Sequence, residues 1–186
     1  MLRRARMLVI LAALAAAAAP TPARALSVVN VEGMLSTIFE SGQSSFSGTG
    51  LRVHVQSPLL IPEITFVPVM EYWRNTNTLE AFDIKSTQND AALGFEARYT
   101  FPREGSFKPY LGAGWSAHFM SSEVHSQSLG LDKSDSVTRG AMTMVGGIQM
   151  PITPKLSNMI ELKFHYLPGD SQTKLNYGLS YNFGGK

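Results

Sequence analysis

Residues 90–101 read D-A-A-L-G-F-E-A-R-Y-T-F, with Ala91, Leu93, Phe95, Ala97, Tyr99 and Phe101 alternating with Asp90, Ala92, Gly94, Glu96, Arg98 and Thr100. Strict alternation over twelve residues places the two sets on opposite faces of a β-strand, a period that a helix cannot produce. One face is wholly apolar and the other is charged or small. The apolar face must meet either lipid or a protein core.

The same alternation, bounded by turn residues, predicts strands over 29–39, 47–56, 63–74, 90–101, 107–120, 138–150, 158–166 and 174–183. The third is the least regular, because Pro68 removes a backbone donor and both faces are rather apolar, so a bulge or local irregularity is expected there. Connections alternate in character along the chain. S-P-L-L-I-P, P-R-E-G-S and P-I-T-P are short and contain proline, whereas 75–89 and 121–136 are long and polar. Short and long connections therefore collect on opposite rims of an antiparallel array. Strands near ten residues suit a tilted crossing of the hydrocarbon layer, which needs about 9 to 11. The fold class this predicts is all-β, an eight-stranded antiparallel up-and-down transmembrane β-barrel.

The polar face carries Glu32, Glu71, Glu96 and Glu161 with Arg52, Arg98, Arg139 and Lys163. An eight-stranded barrel is just wide enough to be filled by side chains, so these groups should pair in a closed polar interior. Tyr and Trp favour the membrane interface; Tyr99, Phe101, Tyr181 and Phe183 fall toward one rim, and Tyr72, Trp73 and Tyr166 toward the other. The inverse arrangement, a soluble lipocalin-like ligand binder, would turn Arg52, Glu96, Arg98 and Lys163 outward.

The N-terminal 25 residues stand apart. Arg3, Arg4 and Arg6 precede an apolar run from 7 to 19, and Ala23-Arg24-Ala25 offers a small-residue cleavage site, so a signal peptide ending at Ala25 is expected, with residues 26–186 as the barrel domain. Removing it takes four arginines and no acid, so 12 basic residues face 14 acidic ones and the formal charge moves from +2 to −2. Such a chain has no electrostatic footprint for nucleic acid. With no cysteine, it has no disulfide framework and no thiolate metal or redox site.

The stretches P-Y-L-G-A-G-W at 109–115 and L-N-Y-G-L-S-Y-N-F at 175–183 resemble the small outer-membrane β-barrel superfamily, which includes the transmembrane domain of outer-membrane protein A and the adhesion-type barrels. Asn176, Gly178, Tyr181 and Phe183 resemble the last-strand signal that such barrels present to their insertion machinery. The resemblance implies a Gram-negative outer membrane, lipid and lipopolysaccharide as surroundings, and a monomer. It also implies a structural or surface-interaction role, with loops 75–89 and 121–136 as its contact regions.

Lipid A 3-O-deacylases, which resemble this chain broadly, imply the principal alternative. His165, with Asp170 and Ser171 after it, is the candidate there, since nucleophilic catalysis needs Ser and His within hydrogen-bond reach. That family's His-x-Ser stands here as His165-Tyr166-Leu167, and the expectation is a protein that is not an enzyme. A narrow channel is a further alternative. His54 and His118 are read as members of the interior hydrogen-bond network and His125 as a solvated loop residue. Asp132 and Asp135 lack the ligand density of a calcium loop, and neither a metal nor a cofactor is expected.

Overall fold

Alternation becomes geometry in eight strands: β1 (Ser27–Glu40), β2 (Phe46–Gln56), β3 (Ile64–Leu79), β4 (Ile84–Thr100), β5 (Lys108–Ser126), β6 (Leu131–Pro151), β7 (Leu156–Leu167) and β8 (Asp170–Asn182). Each pairs antiparallel with its chain neighbours, and β1 pairs with β8 from Asn30↔Asn182 to Glu40↔Gln172, closing the barrel. The computed structural model describes residues 26–40, 44–80, 83–126, 128, 130–167 and 170–183. The expected signal segment and its cleavage after Ala25 lie outside the described residues.

The faces are those that the alternation predicts. Leu93, Phe95, Trp115, Met142, Met144, Phe164 and Tyr177 are exposed on the outer wall, while Glu32, Arg52, Glu71, Glu96, Arg98, Glu161 and Lys163 are buried inside. A soluble lipocalin would have the reverse distribution. Small apolar clusters, Met34 with Val67 and Val69, and Tyr110 with Val145 and Met159, fill the interior around the charges. Tyr99 stacks edge-on with Phe101, and Tyr181 with Phe183, on the short-turn rim. Tyr72 and Tyr166 are exposed toward the other rim.

Two expectations need correction, and a third holds in part. Trp73 is not a girdle residue: it is 3% exposed and its ring packs against Phe46 at 4.7 Å between centroids, because its position in β3 shares the inward parity of Glu71. Pro68 brings the expected local irregularity but no bulge: the β3–β4 ladder runs unbroken through Pro68↔Phe95, while the β2–β3 ladder is interrupted opposite Pro68, between Arg52↔Val69 and Val55↔Phe66, with the register kept. The register shift falls instead in β1, between Val28 and Asn30.

The other correction concerns the expected loops 75–89 and 121–136, which are mostly strand. β3 and β4 stay paired up to Leu79↔Ile84, and β5 and β6 up to Ser126↔Leu131. Polar alternation in Ser, Thr, Asn and Asp carries no apolar stripe, so these segments read as loops although their backbones form ladders. At the ends of these ladders Asp83 (φ 48°) and Gly130 (φ 58°) are in the left-handed region that turns use. β5 and β6, at 19 and 21 residues, far exceed the length of a membrane crossing.

Candidate functional site

The interior charges form one continuous chain of alternating sign. Arg52 donates through Nη1 to Glu32 Oε1 at 2.8 Å and through Nη2 to Glu161 Oε1 at 2.5 Å. Arg98 Nη2 bridges Glu161 Oε2 at 2.7 Å and Glu96 Oε2 at 2.6 Å. Lys163 lies 2.8 Å from Glu96 Oε1 and also donates to Glu71 Oε1, whose second oxygen accepts from Lys174 at 2.6 Å. The order is Glu32, Arg52, Glu161, Arg98, Glu96, Lys163, Glu71, Lys174, four acids against four bases. Every member is buried.

Seven of the eight residues expected in the interior network are in this chain, and the eighth is not. Arg139 sits higher on β6, only half-buried, and its side chain makes no ion pair among the described residues. Lys174 takes its place. The signal for Lys174 was present in the sequence, since it shares the parity of Asn176 and Gly178, whose face is inward.

Burying eight charges is costly unless each is paired and its remaining donors and acceptors are met. Glu161 is the most satisfied: besides two arginines it accepts from Tyr110 Oη at 2.9 Å and from Asn176 Nδ2 at 2.8 Å. Arg98 also lies over the Tyr110 ring, 4.9 Å from its centroid. Of the four residues of the expected insertion signal, Asn176 is thus part of the interior bonding. Gly178 leaves room for Met159 and the Glu32 carboxylate, while Tyr181 and Phe183 face outward.

A second cluster lies toward the long-strand rim. His118 Nδ1 is 2.6 Å from Asp90 Oδ2, and its Nε2 is 3.0 Å from Ser116 Oγ and 3.2 Å from His165 Nδ1. Asp90 reaches His118 from the adjacent strand β4, a pairing set by the Ala92↔His118 register that alternation in one strand does not carry, whereas Ser116 lies two residues from His118 on the same face of β5, a spacing the sequence did offer. His165 was singled out with Ser171, but Ser171 is exposed and pairs with Tyr166 on the outward parity; the side chain of Asp170 lies outside the described residues. His54 contacts Glu32 at 3.6 Å. His125 pairs with Asp132 in the β5–β6 hairpin.

Ser116, His118 and Asp90 have the spacing of a nucleophile, base and orienting acid. The space beside them is the obstacle to acyl chemistry. The cavity lined by Ser116, Thr143, His165, Glu71 and Lys163 measures about 10 Å³, which is room for about one water and not for an ester.

A closed barrel with a charge-paired interior and an apolar outer belt is an integral outer-membrane protein. The chain belongs to the outer membrane protein β-barrel domain family, which it matches over residues 9–183. No curated protein sequence matches it. Among solved structures it is similar to neisserial surface protein A, with 19% identity over 85% of this chain and 99% of that one, at a TM-score of 0.62. A major outer membrane protein of Thermus thermophilus has 13% identity over 84% and 100% of the two chains, at 0.63. Ail, the attachment invasion locus protein of Yersinia pestis, solved with the heparin analogue sucrose octasulfate, has 14% identity over 85% and 98%, at 0.58. At these identities the likeness is one of fold.

Proposed function

We propose that the protein is a cell-surface interaction protein that binds an extended polypeptide segment along the sheet projecting from its outer rim. One observation carries this reading. Among the described residues, β6 from 131 to 141 pairs with β5 alone, since its ladder with β7 begins at Met142↔Tyr166. Residues 74 and 76–79 of β3 likewise pair only with β4 among the described residues. Such edges present backbone donors and acceptors that an added strand can meet. Asp132, Lys133 and Asp135 on the long edge oppose indiscriminate self-pairing.

The charge of the projecting hairpins selects among partners. Glu80, Asp83, Glu123, Asp132 and Asp135 stand against Arg74, Lys85, Lys133 and Arg139, so the projecting hairpins carry no basic excess of the kind a polyanion needs. The sulfated ligand in the Ail structure therefore does not transfer to this chain. We read the protein as a non-enzymatic monomer, on the small volume beside Ser116, and as closed to ions, on the side chains filling its interior. Signal removal after Ala25, insertion through Asn176, Gly178, Tyr181 and Phe183, and a surrounding of lipid and lipopolysaccharide complete the proposal.

The test is adhesion of bacteria displaying the protein to immobilised host-cell and matrix proteins. Replacing residues 124–133 by Asn-Gly should lower adhesion at least tenfold while the barrel still shifts on a gel when boiled. Undiminished adhesion of that variant would refute the reading. The lipid A mass profile should not change on expression; a deacylated species abolished by His165→Ala would establish an enzyme instead.

A further inference from the structure

We propose that the outer mouth of the barrel is a binding pocket for one neutral pyranose unit of a glycan. The pocket is a product of strand register. Gln88 of β4, Ser122 of β5 and Asp135 of β6 stand in one row of the sheet, through Gln88↔Ser122 and Ser122↔Asp135. Arg139 lies lower on β6, and Trp73 of β3 and Glu40 of β1 complete the walls. Together they line a cavity of about 240 Å³. That is the space of about eight waters at about 30 Å³ each, enough for a single sugar ring.

The first argument is unmet hydrogen bonding. Trp73 is 3% exposed, and its Nε1–H has no acceptor among the described residues. Phe46 packs against the indole at 4.7 Å between centroids, which fixes the ring in place. A buried N–H without a partner is costly and rare in native proteins. Arg139 is half-buried beside the same cavity and makes no ion pair among the described residues. Indole and guanidinium are donors only, so the occupant must supply acceptor oxygens.

The second argument selects its charge. Glu40 and Asp135 line the cavity together with Arg139, which leaves no positive excess to hold a carboxylate or a phosphate. A cation would meet the Arg139 guanidinium. A hydroxyl suits both kinds of wall, because it accepts from Trp73 and Arg139 and donates to a carboxylate. Asp135 receives the Ser136 N–H on Oδ1 and keeps Oδ2 for such a donor.

The third argument is the apolar part of the lining. Met120 and Val137 are paired neighbours on β5 and β6, one step below the polar row, and both line the cavity. Apolar surface with a few placed polar groups is the make-up of small-molecule sites. A pyranose has the matching form, a C–H face and a rim of hydroxyls. The free edge of β6 uses backbone groups instead, so binding along that edge and binding in the mouth can fail separately.

The experiment uses the full barrel in lauryldimethylamine oxide, a detergent whose headgroup is not a sugar and cannot compete. The chain has two tryptophans, and Trp115 is exposed on the outer wall. Trp115→Phe therefore leaves Trp73 emission as the reporter. Glucose, galactose, mannose, fucose and the two N-acetylhexosamines are titrated to concentrations that detect millimolar affinity, with glucuronate and acetate as anionic probes. At least one neutral sugar should shift the emission saturably, and the anions should not. Arg139→Met should weaken that binding at least tenfold, and Val137→Phe, which fills the cavity, should abolish it in barrels that still shift on boiling. Displacement of the sugar by a glycoprotein ending in it, or by polysaccharide from the bacterium's own envelope, supports the pocket and names the source. No saturable shift with any neutral sugar would mean that water alone fills the mouth and would overturn the proposal. Tighter binding of the anions, or unchanged sugar binding in both variants, would overturn it as well.

Discussion

Arg52 on β2 and Glu161 on β7 meet across the barrel interior, with Nη2 2.5 Å from Oε1 and Nη1 3.3 Å from Oε2. The pair ties two strands that share no ladder. Each partner is also held by others, Arg52 by Glu32 and Glu161 by Arg98, Tyr110 and Asn176. Removing one charge from such a buried network leaves the others uncompensated, which costs about 3–5 kcal/mol. Glu161→Gln should therefore lower the urea midpoint of unfolding in micelles by that equivalent.

Lys174 and Arg139 offer a sharper comparison, because the same class of residue sits in two environments. Lys174 is buried against Glu71, whereas Arg139 is half-buried beneath the outer mouth. Lys174→Met should cost about 3–5 kcal/mol. Arg139→Met should stay within about 0.5 kcal/mol, as surface substitutions do. Similar unfolding midpoints for the two variants would contradict the alternating chain.

The two faces of β4 can be tested at adjacent residues. Leu93 is 42% exposed on the lipid side, while Ala92 is buried inside. Leu93→Arg should lose about 2–4 kcal/mol by placing charge in the hydrocarbon layer, and Ala92→Ser should be mild. Equilibrium refolding into lipid vesicles measures both.

Close approach of strands sets the fourth prediction. A Cβ at Gly114 would lie 2.1 Å from the Phe95 carbonyl oxygen, a backbone atom that cannot swing aside, whereas one at Gly33 would meet nothing within 4 Å. Gly114→Ala should cost about 1–3 kcal/mol from overpacking, and Gly33→Ala should leave stability nearly unchanged. Thermal unfolding of the two variants in detergent separates them.

Much of this architecture is local. Period-two alternation decides which side chains share a face, since a shift of one residue would exchange every inward and outward position. That is why Glu32, Arg52, Glu71, Glu96, Arg98, Glu161 and Lys163 were legible as interior residues, and why Lys174 and Trp73 should be read with them. Turn chemistry likewise marked the two rims. The projecting hairpins were not legible, because backbone pairing between two polar strands needs no apolar stripe.

Which interior groups touch is a different matter, decided by barrel closure. The β1–β8 ladder and the registers around the ring set the height of each residue on the wall. Only then does Arg52 reach Glu161 from the opposite side, or His165 of β7 come within 3.2 Å of His118 of β5. Those pairs are 109 and 47 residues apart along the chain. Alternation in a single strand carries no information about the height of another. The sequence by itself determined inside and outside; the closed tertiary structure decided the pairing, because contact across a barrel depends on the summed registers of all the strands between.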